Sequence, residues 1–475
     1  MNRIAAAGIL AVTLIASAAP GQDAAKEPTA TFTERYRPQF HYTMVKGWIN
    51  DPIGLVYYKG EYHIFNDHNP FSTKFPGGKT NGEQSHWSHA VSTDLVHWKH
   101  LPIAVVPDKL GACWSGSGVV DWKNSAGFQT GDEKTIVLAY TSAGAVFGQS
   151  LAYSNDRGRT WKKYKGNPII KQIAPSNRDP KVFWHAPTKK WVQVLYVKRG
   201  FAHFFTSDDL KIWSKPVAVK LAGFHECPDL FKMAVDDDKK NMKWVIYDAR
   251  FSYWIGSFDG KAFKPEIGPL RGDLGRNFYA SQTWNDAPGR RTQIGWMSRG
   301  RYPKMPFNQQ MSFPCELTLR KLPAGLRLCR YPVKQIESLY AEKFQLADTV
   351  LKPGGANPLA KISGDLFDIE MEIVPAKAGE FGLRLHSTAV THINGRVNCL
   401  KAGGAVRLID GKLKLRILVD RTSIEVFAND GELSMSSCFL PDKQETPLEL
   451  YAKSGDVAIK SLKVRKLKSA WRKAD

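Results

Sequence analysis

The sequence predicts an all-β protein, a five-bladed β-propeller followed by a C-terminal β-sandwich, and three observations carry that expectation. Short aromatic-rich segments separated by Gly, Asp, Asn and Pro run from Tyr36 to about Leu319, with no 3.6-residue period sustained over a dozen residues. A loose repeat recurs inside them: Ser92-Thr-Asp-Leu-Val-His-Trp98, Ser154-Asn-Asp-Arg-Gly-Arg-Thr-Trp161, Ser207-Asp-Asp-Leu-Lys-Ile-Trp213 and a degenerate Ser257-Phe-Asp-Gly-Lys-Ala-Phe263. Beyond Pro323-Ala-Gly325 the texture changes to long strands that alternate apolar and polar residues.

Each element has its own justification. The aromatic ends of the repeats lie 63, 52 and 50 residues apart, the size of a four-stranded blade, and each Ser/Asp turn closes a hairpin onto a blade-core aromatic. Four marks plus the chain remaining to Leu319 make five blades. In the later region Phe367, Ile369, Met371 and Ile373 alternate with Asp368, Glu370 and Glu372. Leu413 to Val419 alternates likewise, and Ile424-Glu-Val-Phe-Ala runs into the hairpin signal Asn429-Asp-Gly431. The expected organisation is a signal peptide at residues 1–18, a leader at 19–32, a propeller at 33–322, a linker at 323–347 and a sandwich at 348–470.

The signal peptide is read from Arg3, the apolar run Ile4 to Ile15 and the small-x-small site Ala16-Ser-Ala18. Export is therefore expected, to the periplasm or beyond. The run is too short to span a bilayer and no later segment approaches about 18 uninterrupted apolar residues. Six cysteines permit three disulfides but lack Cys-x-x-Cys metal spacing, and Cys399–Cys438 is one candidate pair. Composition, 43% hydrophobic and 24% charged, excludes disorder and collagen-like repeats. The excess of 67 Lys+Arg over 45 Asp+Glu, +22, suits a polyanion or a basic enzyme surface equally.

A propeller gathers its inner strands around one channel, so carboxylates at the strand ends converge even when far apart in sequence. Three carboxylates sit in Gly/Pro-shaped surroundings: Asp51 in Gly47-Trp-Ile-Asn-Asp-Pro-Ile-Gly54, Asp179 in Asn177-Arg-Asp-Pro180, and Glu226 in Phe224-His-Glu-Cys-Pro-Asp229. Taken singly, an Asp-Pro is a turn signal. Three on one propeller match glycoside hydrolysis, which needs one carboxylate as nucleophile and another as proton donor, with a third free to stabilise positive charge. His86, His89, His225 and Cys227 make a poor zinc site, because two histidines three apart on a strand point to opposite faces. No Gly-x-Ser-x-Gly elbow or phosphate-binding Gly loop occurs.

Trp48-Ile-Asn-Asp-Pro52, Arg178-Asp-Pro-Lys-Val-Phe-Trp184 and Glu226-Cys-Pro228, in that order, resemble glycoside hydrolase family 32, the invertases, inulinases and levanases. So do Tyr62-His-Ile-Phe, Asn69-Pro70, Trp114-Ser-Gly-Ser117, Asp229-Leu-Phe231, Asn277-Phe-Tyr-Ala280, Met311-Ser-Phe-Pro-Cys-Glu-Leu317 and, in the last domain, Asp420-Arg-Thr-Ser-Ile-Glu-Val-Phe427. The resemblance covers about residues 37 to 465. It implies a retaining mechanism without metal or cofactor, with Asp51 as nucleophile, Glu226 as acid/base and Asp179 as transition-state stabiliser. These roles ask for an ionised Asp51 and an initially protonated Glu226.

The sugar-binding set expected around the three carboxylates is Trp48, Asn50, Asp67, Trp114, Ser115, Arg178 and Phe307. The chain departs from the family pattern at Ile53, commonly Asn, at Asp67, usually a sugar-binding Gln, and at Phe307, frequently Trp. The expected partners are terminal β-fructofuranosyl groups of levan, inulin or sucrose, with no nucleic acid and no membrane span. Non-specific attraction of the basic surface to anionic polymers is a further expectation. Fructosyl transfer on the same scaffold and a catalytically weak, lectin-like fructan binder remain as alternatives, since transfer and hydrolysis share the covalent intermediate.

Overall fold

The computed structural model describes residues 32–76, 83–376, 379–386, 388–441 and 447–471. The expected signal peptide, and the leader up to residue 31, lie outside the described residues. Among those described, no helix is long and apolar enough to cross a membrane.

Five four-stranded antiparallel units follow one another from Gly47 to Pro332 among the described residues. Their first strands are Gly47–Tyr58, Ala112–Asp121, Arg178–His185, Asp229–Val235 and Tyr279–Thr283. The first sheet gains a short parallel strand, Phe307–Asn308, which pairs with Gly47 and Trp48 and so joins the end of the propeller to its beginning. The fifth unit meets the fourth through the parallel pair Val235↔Leu319.

The Ser/Asp repeats are the turns between third and fourth strands. Ser92 Oγ accepts the Leu95 N–H at 2.8 Å, and Asp94 Oδ1 accepts those of Val96 and His97. Asp209 and Asp259 cap their own turns in the same way. The residue three after each serine is left-handed in all four repeats: Leu95 (φ 68°), Arg157 (59°), Leu210 (63°) and Gly260 (96°). Side chain-to-backbone bonds hold that conformation in residues other than glycine. Trp161 and Trp213 then fold back to donate their indole N–H to the turn carbonyls of Gly158 and Leu210.

Residues 323–347, expected as a linker, are instead structured. Gly325–Pro332 is the fourth strand of the fifth blade, a 3₁₀ turn spans Lys334–Leu339, and Tyr340–Leu351 is already a sandwich strand. Pro323-Ala-Gly325 is thus a tight hairpin, with Gly325 at φ 97°, and not a domain boundary. The sandwich packs a six-stranded sheet on a five-stranded one, and Phe367, Ile369, Leu415, Ile417, Val426 and Phe381 fill its core. Asp368, read as solvent-facing, is buried: Arg416 grips it through two hydrogen bonds of 3.0 and 2.8 Å. Gly431 in the predicted hairpin is needed for space, since a Cβ there would lie 2.3 Å from the Arg330 carbonyl oxygen. All six cysteines are free, so the Cys399–Cys438 pair does not form.

A buried ionic network joins sandwich to propeller. His41 lies between Asp420 Oδ2 (2.9 Å) and Glu425 Oε2 (3.4 Å), and Arg330 bonds Asp273 and Glu425 at 3.1 Å each. Burial pulls the His41 imidazolium down, but the bonds and charges of Asp420 and Glu425 outweigh it and raise the group to about 9. Burial raises Glu425, yet Arg330 and His41 hold it down to about 2. A raised histidine contributes stability that is complete below its unfolded value of about 6.5 and lost as pH climbs through 9. The lowered carboxylate contributes above its unfolded value of about 4.3 and loses that contribution as pH falls toward 2. Thermal melts are therefore expected to peak between about pH 5 and 6.5 for this network and to fall by pH 10. His41→Gln should flatten the alkaline decline. Equal declines in both proteins would rule the network out as its source.

Candidate active site

The five first strands present their N-terminal ends to one cavity of about 240 Å³, lined by Asn50, Asp51, Asp67, Phe75, Pro76, Ser85, Trp114, Ser115, Arg178, Asp179, Glu226, Tyr279 and Trp296. The structure thus gathers the three carboxylates from blades one, three and four. A second cavity, of about 350 Å³, lies toward the other ends of the strands around Trp122, Trp184, Trp244 and Arg291. Its one carboxylate, Asp286, is occupied by the Val120 and Trp122 N–H groups, so it lacks the acid pair the chemistry needs.

Breaks in strand register place the functional side chains. Ile49 pairs with His68 and Pro52 with Asn66, so Asn50 and Asp51 together oppose Asp67 alone. Ser115 is the extra residue between the pairs Trp114↔Thr141 and Gly116↔Tyr140. Asp179 and Pro180 oppose Leu195, and Ala280 and Ser281, just after Tyr279, oppose Gly295. A bulge swings a side chain out of the pleat and sharpens the local twist, which aims it into the channel. Pro52 and Pro180 assist because they have no N–H to give the ladder. Asp179 (φ 65°), Cys227 (50°) and Ala280 (47°) are also left-handed, backbone strain of the kind that collects at functional sites.

Hydrogen bonds fix the acids. Asp51 Oδ2 accepts Ser115 Oγ at 2.7 Å and Cys227 Sγ at 3.3 Å, and Asn50 Nδ2 reaches Oδ1 at 3.2 Å. Trp48 Nε1 donates to Asn50 Oδ1 at 3.0 Å and so orients that amide. Asp179 Oδ2 accepts the Cys227 N–H at 3.1 Å, with Cys227 Sγ at 3.5 Å. Cys227 therefore touches both aspartates, and burial with their charges pushes its thiol up, keeping it a neutral donor. Arg178 forks onto Glu226 Oε2 through Nε and Nη2, and the Tyr279 hydroxyl donates to Oε1 at 2.5 Å.

The proton affinities differ from the sequence expectation. Burial raises Asp51 against the opposing Ser115 bond, and burial lifts Asp179 to about 7 against the Arg178 charge. Burial also raises Glu226, but His225, Arg178 and Tyr279 together hold it down to about 2. Glu226 is thus an anion paired with Arg178, where the sequence expectation was a protonated acid. The adjacent His225 is the first of these influences, and Arg178, which comes from another blade, adds its charge and its fork.

Phe307 is not in the pocket. It is fully buried, stacked on Tyr302 at 5.4 Å under the Arg37 guanidinium at 3.7 Å, so its role is packing at the propeller closure. The expected Trp114 lines the cavity together with Trp296 and Phe75, whereas Trp48 stands outside the lining, edge-on to Trp296 and Phe75 at 6.3 and 5.8 Å. Sequence reasoning missed both, and Tyr279 with them. Tyr279 sits inside the quoted Asn277–Ala280 motif and could have been found there, whereas Trp296 is one tryptophan among 14.

Acid side chains converging on the mouth of a propeller channel, with aromatic rings along one wall and a sandwich behind, define a glycoside hydrolase. The chain belongs to glycosyl hydrolases family 32: the model of that family's N-terminal domain matches residues 41–332, and that of its C-terminal domain residues 335–466. A levanase of Bacillus subtilis (strain 168) is 39% identical, over 97% of this chain and 74% of the relative. The extracellular exo-inulinase inuE of Aspergillus niger is 28% identical, over 93% and 96%. Among solved structures, the exo-inulinase of Aspergillus awamori superposes with a TM-score of 0.80 at 26% identity, covering 93% of this chain and all of that one. The β-fructofuranosidase of Schwanniomyces occidentalis complexed with fructosyl-erythritol gives 0.81 at 25% identity, covering 92% and 98%.

Proposed function

We propose that the protein is an exported, retaining β-fructofuranosidase that releases terminal fructosyl units from levan, inulin-type chains and sucrose. The observation that carries this reading is the meeting of Asp51, Asp179 and Glu226 around one aromatic-walled cavity. Asp51 attacks the anomeric carbon, the bond to the leaving oxygen breaks, and Glu226 delivers a proton to that oxygen. Glu226 then takes a proton from water, which displaces Asp51 and frees the sugar with its configuration retained. For the first step the Arg178 fork turns from Glu226 to the incoming sugar; Glu226 then loses a cation that holds it as an anion and takes up a proton. Asp179, next to both, balances the positive charge that builds on the ring.

The names of the related levanase, exo-inulinases and invertase support a fructan or sucrose substrate. The basic excess lies apart from this chemistry, because among the described residues the pocket holds Asp51, Asp67, Asp179 and Glu226 against Arg178 as its one basic side chain. It suits salt-sensitive retention on anionic polymers. Incubation with sucrose, inulin and levan and separation of the products tests the function: free fructose is expected from at least one. Oligomeric fructosyl products without free fructose would make the protein a transferase, and no product from any of the three would leave it a binder.

A further inference from the structure

We infer that Asp67 is a neutral carboxylic acid in the resting site, and that its proton, donated to Ser115, lets Ser115 in turn hold Asp51 as the anion. This deepens the proposed function, since it assigns a positioning residue to the nucleophile named there.

Hydrogen counting carries the inference. Ser115 Oγ lies 2.7 Å from Asp51 Oδ2 and 2.9 Å from Asp67 Oδ2. A hydroxyl has one hydrogen, so it donates to one of these oxygens only. The other contact is a hydrogen bond only if that carboxyl brings a proton. Two carboxylates bridged by one hydroxyl also repel, which favours a single shared proton.

The surroundings decide which acid carries it. Asp51 has a donor on each oxygen, Asn50 Nδ2 on Oδ1 and both Ser115 and Cys227 on Oδ2. Asp67 is only 6% exposed, and its Oδ1 is buried without any partner among the described residues. An anion there would leave one charged oxygen bare in the interior, whereas a neutral acid leaves only a carbonyl. Its Oδ2 accepts Asn50 Nδ2 at 3.2 Å while its own hydrogen points to Ser115.

The charged groups around it act in the same sense. Asp51 is beside it, Asp179 is within electrostatic reach, and the Cys113 thiol is neutral. Arg178, the one cation lining the cavity among the described residues, is committed to Glu226 and Asp179. Burial, then the charges of Asp51 and Asp179, push Asp67 well above the carboxylate range. A neutral acid is one donor and one acceptor, as an amide is: the donor goes to Ser115, and the buried Oδ1 is left as an uncharged carbonyl.

Infrared difference spectroscopy of the substrate-free enzyme at pH 7 tests this. The spectrum of wild type minus Asp67→Asn is expected to contain the carbonyl stretch of a protonated carboxyl, shifting in D₂O. If the difference holds carboxylate bands instead, the proposal is wrong. Asp67→Gln serves the same comparison if Asp67→Asn fails to fold. On sucrose, Asp67→Ala is expected to be about 10- to 100-fold slower in kcat/KM than Asp67→Asn, whose amide still donates to Ser115. Equal losses would mean that Asp67 acts as an anion. The spectrum needs no substrate, so it stands whether or not a fructoside is cleaved.

Discussion

Asp51→Asn is expected to lower turnover of a cleaved fructoside by about four orders of magnitude, and Glu226→Gln by about two to four. The two losses differ in kind. An amide at position 51 cannot form the glycosyl-enzyme bond, while a glutamine at 226 removes only the proton transfer and leaves attack intact. Substrates with good leaving groups, which need little protonation, should therefore recover most of the rate of glycosyl-enzyme formation in Glu226→Gln, seen as a burst of leaving group before a slow hydrolysis that still lacks its base, and none in Asp51→Asn. Neither change touches the core, so unfolding temperatures should stay near wild type. Near-normal rates in either variant would overturn the role assignment.

Arg330→Met is expected to cost about 3–5 kcal/mol of stability, because it leaves Asp273 and Glu425 buried with their cation gone. Arg330 also lies over the rings of Phe278, on the propeller side, and Phe427, in the sandwich. Losing it therefore removes packing at the same joint as charge. Denaturant unfolding followed by tryptophan fluorescence measures the loss. A shift below about 1 kcal/mol would place Arg330 among the ion pairs whose desolvation cancels their attraction.

Much of this arrangement was legible in the chain because it is written in local chemistry. The Ser92, Ser154 and Ser207 turns are closed by bonds within five residues of each serine, so their spacing marked the early blades, and the chain remaining to Leu319 supplied the fifth. Alternation from Phe367 to Ile373 marked a strand because the side-chain period of a strand is two. Pro52 and Pro180 marked Asp51 and Asp179 because a residue without an N–H breaks the ladder where a bulge must form. The same locality misled where neighbours in space outweighed neighbours in sequence. Asp368 alternates as a wet residue but is held by Arg416, 48 positions away, and Phe307 matches a pocket position but is sealed beneath Arg37.

Residue identity and short spacing thus settled which carboxylates the chain brings to its channel and on what kind of scaffold, since turns, bulges and strand periods are properties of a few consecutive residues. Their protonation was decided only by folding. Beside its chain neighbour His225, Glu226 is held as an anion by Arg178 and Tyr279, which arrive from other blades, and Asp67 faces Asp51 across one serine hydroxyl contributed by a third strand. Proton affinity depends on burial and on charges a few ångströms away, and the propeller assembles those neighbours from segments up to 176 residues apart.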